Sequence, residues 1–102
     1  MSDPPSPYHV SYSGRVLQEL RALADQSRER GDGEQFLAAL KEFDRRLRIY
    51  PQFGEPLHDL THEPGQICIG TVLPLVMRYS LYEERRLVMI SAPPRLLPRA
   101  EE

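Results

Sequence analysis

Residues 36–60 read FLAALKEFDRRLRIYPQFGEPLHDL, and the change of rhythm inside this stretch decides the fold class. Phe36, Leu40, Phe43, Leu47 and Tyr50 step by four, three, four and three, which is the spacing of one face of an α-helix. Leu37 and Ile49 flank that stripe, and Arg45, Arg46 and Arg48 point away from its centre. Pro51 disfavours helical geometry at Tyr50, so the helix is expected to stop there. A turn, FGEP, follows, and beyond it the apolar period falls from about 3.6 to 2.

Upstream, a second amphipathic helix is predicted from a Ser13 cap to about Arg30, with Val16, Leu17, Leu20, Leu23 and Ala24 as its apolar stripe. Gly31 is placed to end it in a left-handed turn. Asp32, with Gln35 three residues on, matches a capping box for the next helix. Two such helices joined by Gly-Asp-Gly make an antiparallel hairpin. Before them, YHVSY (8–12) alternates as a short strand. After the FGEP turn, QICIGTVL (66–73), LVMRYSLY (75–82) and RLVMISA (86–92) are three strand candidates. In the middle one Leu75, Met77, Tyr79 and Leu81 share a face, with Val76, Arg78, Ser80 and Tyr82 opposite. Glu83-Glu84-Arg85 is the expected hairpin tip, Pro74 a turn or bulge, and Pro93, Pro94 and Pro98 end regular structure.

The predicted fold is α+β: an N-terminal strand, then an antiparallel helix hairpin packed on one face of a small antiparallel β-sheet. Its 102 residues suffice for one domain. That domain is expected over 8–97, between a disordered tail at 1–7 and a C-terminal tail at 98–102. A charge at Leu40, taken as a core position, is expected to abolish folding.

Composition excludes several function classes. A formal charge of −2 argues against wholesale polyanion binding. No apolar run spans a membrane and no secretory leader is legible, so a cytoplasmic protein is expected. The single cysteine, Cys68, admits no internal disulfide and fits a reducing compartment. It lies in an apolar alternating strand, where a free thiol behaves as a small hydrophobe. His58, His62 and Cys68, with Asp59 and Glu63, invite a metal reading, but Pro64-Gly65 interrupts the segment and no paired-ligand spacing is present. These histidines are read as part of a surface turn, and no metal or cofactor is expected.

The arginines remain. Of 13 basic residues only Lys41 is not arginine. Lys41, Arg45, Arg46 and Arg48 crowd the end of the second helix, where the helix dipole favours cations. The same cluster, with Arg85 and Arg86 at the hairpin tip, is a candidate binding surface for an acidic protein partner. Arg78, Tyr82 and Arg95 belong to the sheet half. If the helices cover one sheet face, these three are available on the other, where arginine and tyrosine can neutralise phosphate and stack on bases.

The order of elements, with the phrases YSGRVLQELRALADQSRERG, FLAALKEFDRRLRIYPQFGEPLHDL and LVMRYSLYEERRLVMISAPPR, resembles the RelE/ParE superfamily of bacterial type II toxin–antitoxin toxins. The resemblance covers roughly residues 8–97. It implies neutralisation by a cognate antitoxin that wraps the toxin. One branch cleaves mRNA on the ribosome; the other poisons DNA gyrase by binding it. Aligning Tyr79 with the family's strand tyrosine puts Val76 where the nucleases place an arginine. Arg95 falls near a second basic position, and no tyrosine follows it. The resemblance therefore implies a ParE-like toxin that binds a protein target. The alternatives are an endoribonuclease using Arg78, Arg95 and Tyr82, or a non-toxic partner-binding module.

Overall fold

A computed structural model describes residues 7–97. The order is β1 (His9–Tyr12), α1 (Gly14–Glu29), α2 (Gly33–Ile49), a 3₁₀ turn (Pro51–Phe53), β2 (Glu55–Asp59), β3 (Gln66–Val72), β4 (Leu75–Tyr82), β5 (Leu87–Ile90) and β6 (Arg95–Leu96). The fold is α+β, a helix hairpin against a six-stranded sheet. The tails expected at 1–7 and 98–102 lie, except for Pro7, outside the described residues, as does Pro98. Among the described residues no helix is long and apolar enough to cross a membrane.

The helix ends follow local chemistry. Ser13 accepts the Val16 amide at 3.1 Å and caps α1. Gly31, at φ +81°, takes the left-handed geometry that turns the chain out of α1. Asp32 precedes α2 but its side chain makes no capping hydrogen bond, so its half of the expected capping box does not form, while its carbonyl accepts the Phe36 amide as the first helical bond. Tyr50 closes α2 directly before Pro51.

Sheet order is β1-β5-β4-β3-β2, with β6 pairing β4 beyond the end of β5. Three features differ from the sequence reading. The sheet is mixed, because β1 runs parallel to β5, with Val10 opposite Val88. The segment 55–59, read as turn, is the edge strand β2, paired antiparallel to β3 with an irregularity between Pro56 and His58. Every residue of β2 is exposed. An edge strand that buries nothing carries no apolar alternation, and an edge tolerates the proline that a central strand excludes. Finally, regular structure resumes after Pro93-Pro94 as β6, where Arg95 stands opposite Val76.

The core lies between the layers. Val16 and Leu20 of α1, and Phe36, Ala39, Phe43 and Leu47 of α2, meet Cys68, Leu75, Met77, Tyr79, Leu81, Val88 and Ile90. The β4 faces are as expected, but the outer face is not uniformly wet. Val76 is buried beside β6, and Tyr82 is buried beside the 60–65 loop, donating to Glu63 at 3.3 Å. Leu40 is only half-buried and packs against the core margin, whereas Ala39 takes the central position. Tyr50 is exposed. Phe43, Phe53 and Tyr79 form an aromatic knot, with Phe43 edge-on to Phe53 at 5.5 Å between centroids. The Tyr79 hydroxyl donates to the Pro51 carbonyl. It is therefore a structural tyrosine, facing the helices.

Tyr12 ties β1 to α2 by donating to Asp44 at 2.6 Å. Burial, then this hydrogen bond, pushes the Tyr12 hydroxyl well above the ordinary tyrosine range. Burial, then the neighbouring Cys68, also raises Tyr79. A group with a raised folded pKa stabilises the fold fully below its unfolded value and loses that contribution as pH rises through the folded one. Thermal stability is thus expected to fall as pH rises above about 10. Tyr12→Phe should show a shallower fall across the same range, measured as Tm against pH. An unchanged slope would exclude Tyr12 as a contributing group. At the acid end burial raises Asp44, but hydrogen bonds from Arg48 and Tyr12 outweigh it and leave the carboxyl below its usual range. Its contribution is lost as pH falls below about 4.

Candidate functional site

The outer face of the sheet, away from the helices, collects the chemistry. Side chains on successive strand residues alternate between faces, so the residues opposite one another across the ladder form rows. One row runs His58, Ile67, Ser80, Met89. The next places Arg78 opposite Ile69. The third holds Val76 opposite Arg95.

At the second row the sheet is interrupted on the β5–β6 side. From Ser80↔Met89 to Val76↔Arg95, β4 advances four residues (80 − 76) while its partner limb advances six (95 − 89). The two extra residues, within Ser91-Ala92-Pro93-Pro94, leave the ladder as a bulge beside Arg78. Proline cannot donate to the ladder, and bulges re-aim side chains and open concavities. The result is a groove of about 490 Å³ lined by Leu57, Ile69, Val76, Arg78, Ala92, Pro93 and Arg95. An adjoining hollow of about 230 Å³ shares Arg78 and Ala92 with it and adds His58 and Ser80.

The structure thus gathers Arg78 and Arg95 in one groove but does not bring Tyr82 to them. Tyr82 lies four residues beyond Arg78, about 13 Å along the strand. Its ring is covered by Arg85 at 5.3 Å and its hydroxyl is engaged by Glu63. The position of His58 corrects the sequence reading. Expected in a turn short of the sheet, it stands in β2 and lines the hollow beside Arg78. His62 stays in the 60–65 loop, away from both linings. Cys68 is buried on the core side, where burial pushes its thiol up. Among the described residues no three His, Cys, Asp or Glu side chains could together hold a metal ion.

The helix-end arginines are in large part satisfied internally. Arg45 grips Glu42 with two nitrogens at 2.8 and 2.7 Å, and Arg46 reaches the same carboxylate at 2.6 Å. Hydrogen bonds from Arg45, then Arg46, draw the Glu42 carboxyl down to about 2. Arg48 holds Asp44 at 2.8 Å. Arg46 also lies over Phe53, and Arg86 over Tyr8 at 5.1 Å. Tyr8 donates its amide to the Arg48 carbonyl, so α2's end and the β4–β5 tip meet around it. Arg86, at φ +48°, accepts the His9 amide there. These arginines fasten the edges of the fold, and Arg45 remains the most exposed of the α2 set.

A third surface escaped the sequence reading. Tyr12, Leu17, Leu20, Leu40, Lys41 and Asp44 line an open cleft of about 350 Å³ on the outside of the helix hairpin. Leu17 is 44% and Leu37 49% exposed. The signal was present: the helical stripes were too wide. Leu17 beside Val16, and Leu37 beside Phe36, cannot both face one sheet.

Comparison with protein-family models, with curated proteins and with solved structures finds no match for this chain.

Proposed function

We propose that the chain is the toxin-like component of a type II toxin–antitoxin system, of the ParE-like kind. It acts by binding a protein target and is held inactive by an antitoxin. The observation that supports this reading is the presence of two separate open surfaces on opposite sides of the fold. One is the leucine-lined cleft of the helix hairpin, which suits an apolar antitoxin segment. The other is the outer sheet groove, where neither Arg78 nor Arg95 is ion-paired among the described residues. A reducing cytoplasm is the compartment that this role and the lone buried thiol suit.

One observation favours a second reading, ribosome-dependent mRNA cleavage: His58, whose imidazole is a side chain of the general acid–base type, lines the same hollow as Arg78. Attack by a 2′-hydroxyl on the adjacent phosphate needs a proton acceptor, a proton donor and stabilisation of the phosphorane. Arg78 and Arg95 serve the third task alone, because arginine stays protonated. Tyr79 is turned into the core and Tyr82 is engaged elsewhere, so His58 would have to serve as both acceptor and donor. Binding is therefore the better-supported role.

The two readings separate in a translation reaction supplied with purified protein, with mRNA ends mapped afterwards. No new ends are expected, on free RNA or on translating ribosomes. Discrete cuts that disappear in both His58→Ala and Arg95→Ala would put the nuclease first.

A further inference from the structure

We infer that the outer sheet groove is the target-binding surface and that its ligand is an extended acidic peptide segment carrying two carboxylates two residues apart. This rests on the protein-binding reading above and names the chemistry of the partner at that site.

The spacing comes from the ladder. Arg95 stands opposite Val76, and Arg78 lies two residues along β4 on the same face, so the two arginines are diagonal neighbours. Diagonal positions on a sheet are about 7–8 Å apart. In an extended peptide, residues i and i+2 point the same way and stand about 6.6–7 Å apart. A Glu-x-Glu or Asp-x-Asp segment can therefore present one carboxylate to each guanidinium. Arginine's planar fork takes a carboxylate with two parallel hydrogen bonds.

The groove walls supply the rest of the match. Leu57 on one side, with Ala92 and Pro93 on the other, give apolar contact along the peptide's length. Leu57 is 42% exposed, so it offers area that a ligand can cover. Same-side residues of the peptide two positions outside the carboxylates would meet these walls. The resulting pattern is apolar-x-acidic-x-acidic-x-apolar.

Single-stranded RNA is the competing ligand for two arginines on a sheet. Its recognition leans on aromatic rings that stack with the bases. The groove lining contains no aromatic residue. Tyr79, which touches only the adjoining hollow, is 2% exposed, and Tyr82 is covered by Arg85. The formal charge of −2 also lacks the positive excess that steers a polyanion. Carboxylate recognition by a peptide fits both facts.

The experiment uses the full chain and fluorescently labelled peptides in an anisotropy titration. The probe Leu-Ser-Glu-Ser-Glu-Ser-Leu is compared with its Gln-for-Glu analogue and with a uridine heptanucleotide. The acidic peptide should bind saturably, with affinity falling as salt rises. Arg78→Gln and Arg95→Gln should each weaken it at least tenfold, while Arg28→Gln on α1 leaves it unchanged. Circular dichroism melts of all three variants exclude unfolding as the cause. Equal binding of the Glu and Gln peptides would overturn the inference. So would tighter, arginine-dependent binding of the oligonucleotide. Growth arrest in cells reports separately on the toxin reading. Arrest that requires Arg78 and Arg95, without peptide binding, would overturn the ligand assignment alone. Peptide binding without arrest would support the ligand assignment and reject the toxin reading.

Discussion

Leu47→Asp is expected to leave the chain with no cooperative thermal transition. Leu47 of α2 is completely buried within the hydrophobic core, where a carboxylate would sit among apolar side chains. An unpaired charge in such a site costs several kcal/mol, against a typical total stability of about 5–15 kcal/mol. The informative comparison is Leu40→Asp. By helical spacing alone Leu40 looks as central as Leu47, and the same outcome would be expected. In the fold it lines the outer cleft beside Lys41, half-exposed, where a carboxylate stays hydrated. Leu40→Asp should therefore keep a cooperative melt at reduced Tm. Equal loss in the two variants would mean that α2 packs on a different face from the one described.

Gly70→Val should be the most damaging of the conservative-looking changes in the sheet. A Cβ at Gly70 would lie 2.8 Å from the tip of the Phe43 ring and 2.9 Å from that of Phe53. Real Cβ atoms do not approach carbon so closely, and Phe43 is fully buried. Overpacking of this kind costs about 1–3 kcal/mol, and a bulkier β-branched residue lies at the upper end. For a domain of this size each kcal/mol lowers Tm by about 4–8 °C. Phe53 is only partly buried, so removing its ring makes space at a tolerable cost. Gly70→Val with Phe53→Ala should then be less damaging than the sum of the two, by at least about 0.5 kcal/mol in a double-mutant cycle. Strict additivity would show that the glycine is not there to admit the aromatic knot.

These two tests bear on what the sequence made legible. The helices, their ends at Gly31 and Pro51, and the strands β1, β3, β4 and β5 could all be read, because each carries a regular apolar stripe. The β2 edge strand could not, since a strand exposed on every residue leaves no periodic signal. Nor could β6, two residues long and preceded by two prolines. Both omissions fall on the site. β2 carries His58 and Leu57, and the bulge before β6 turns a flat sheet into a groove at Arg78. Arg78 was legible as an outward strand residue, whereas Arg95, beyond the prolines read as ending regular structure, was singled out by the resemblance and not by any strand pattern. The bulge adds an even number of residues, so strand parity is kept and Arg95 returns to the Arg78 face. Tyr82 shares that parity, but its distance along the strand and its partner Glu63 depend on the 60–65 loop, whose course is not periodic. The Arg45–Arg46–Arg48 cluster was conspicuous in the sequence and is mostly engaged by Glu42 and Asp44. Short-range pairs at i,i+3 and i,i+4 were legible there too. They make the cluster a weaker candidate for partner capture than its density suggests.

The central claim is that this fold arrests growth by presenting its outer sheet groove to a target and is silenced by a partner on its helix side. The most direct measurement is bacterial growth after induced expression in four strains: the wild-type chain, Arg78→Gln/Arg95→Gln, and each of these with the neighbouring gene, where the proposal places the antitoxin. Growth should stop with the wild-type chain alone, resume when the neighbour is present, and continue with the double variant at equal protein level. The double variant should still co-purify with the neighbour's product, since the helix cleft is untouched. Unimpaired growth with the wild-type chain alone, at a level at which the folded protein is detected, would contradict the claim and leave a partner-binding module without toxicity.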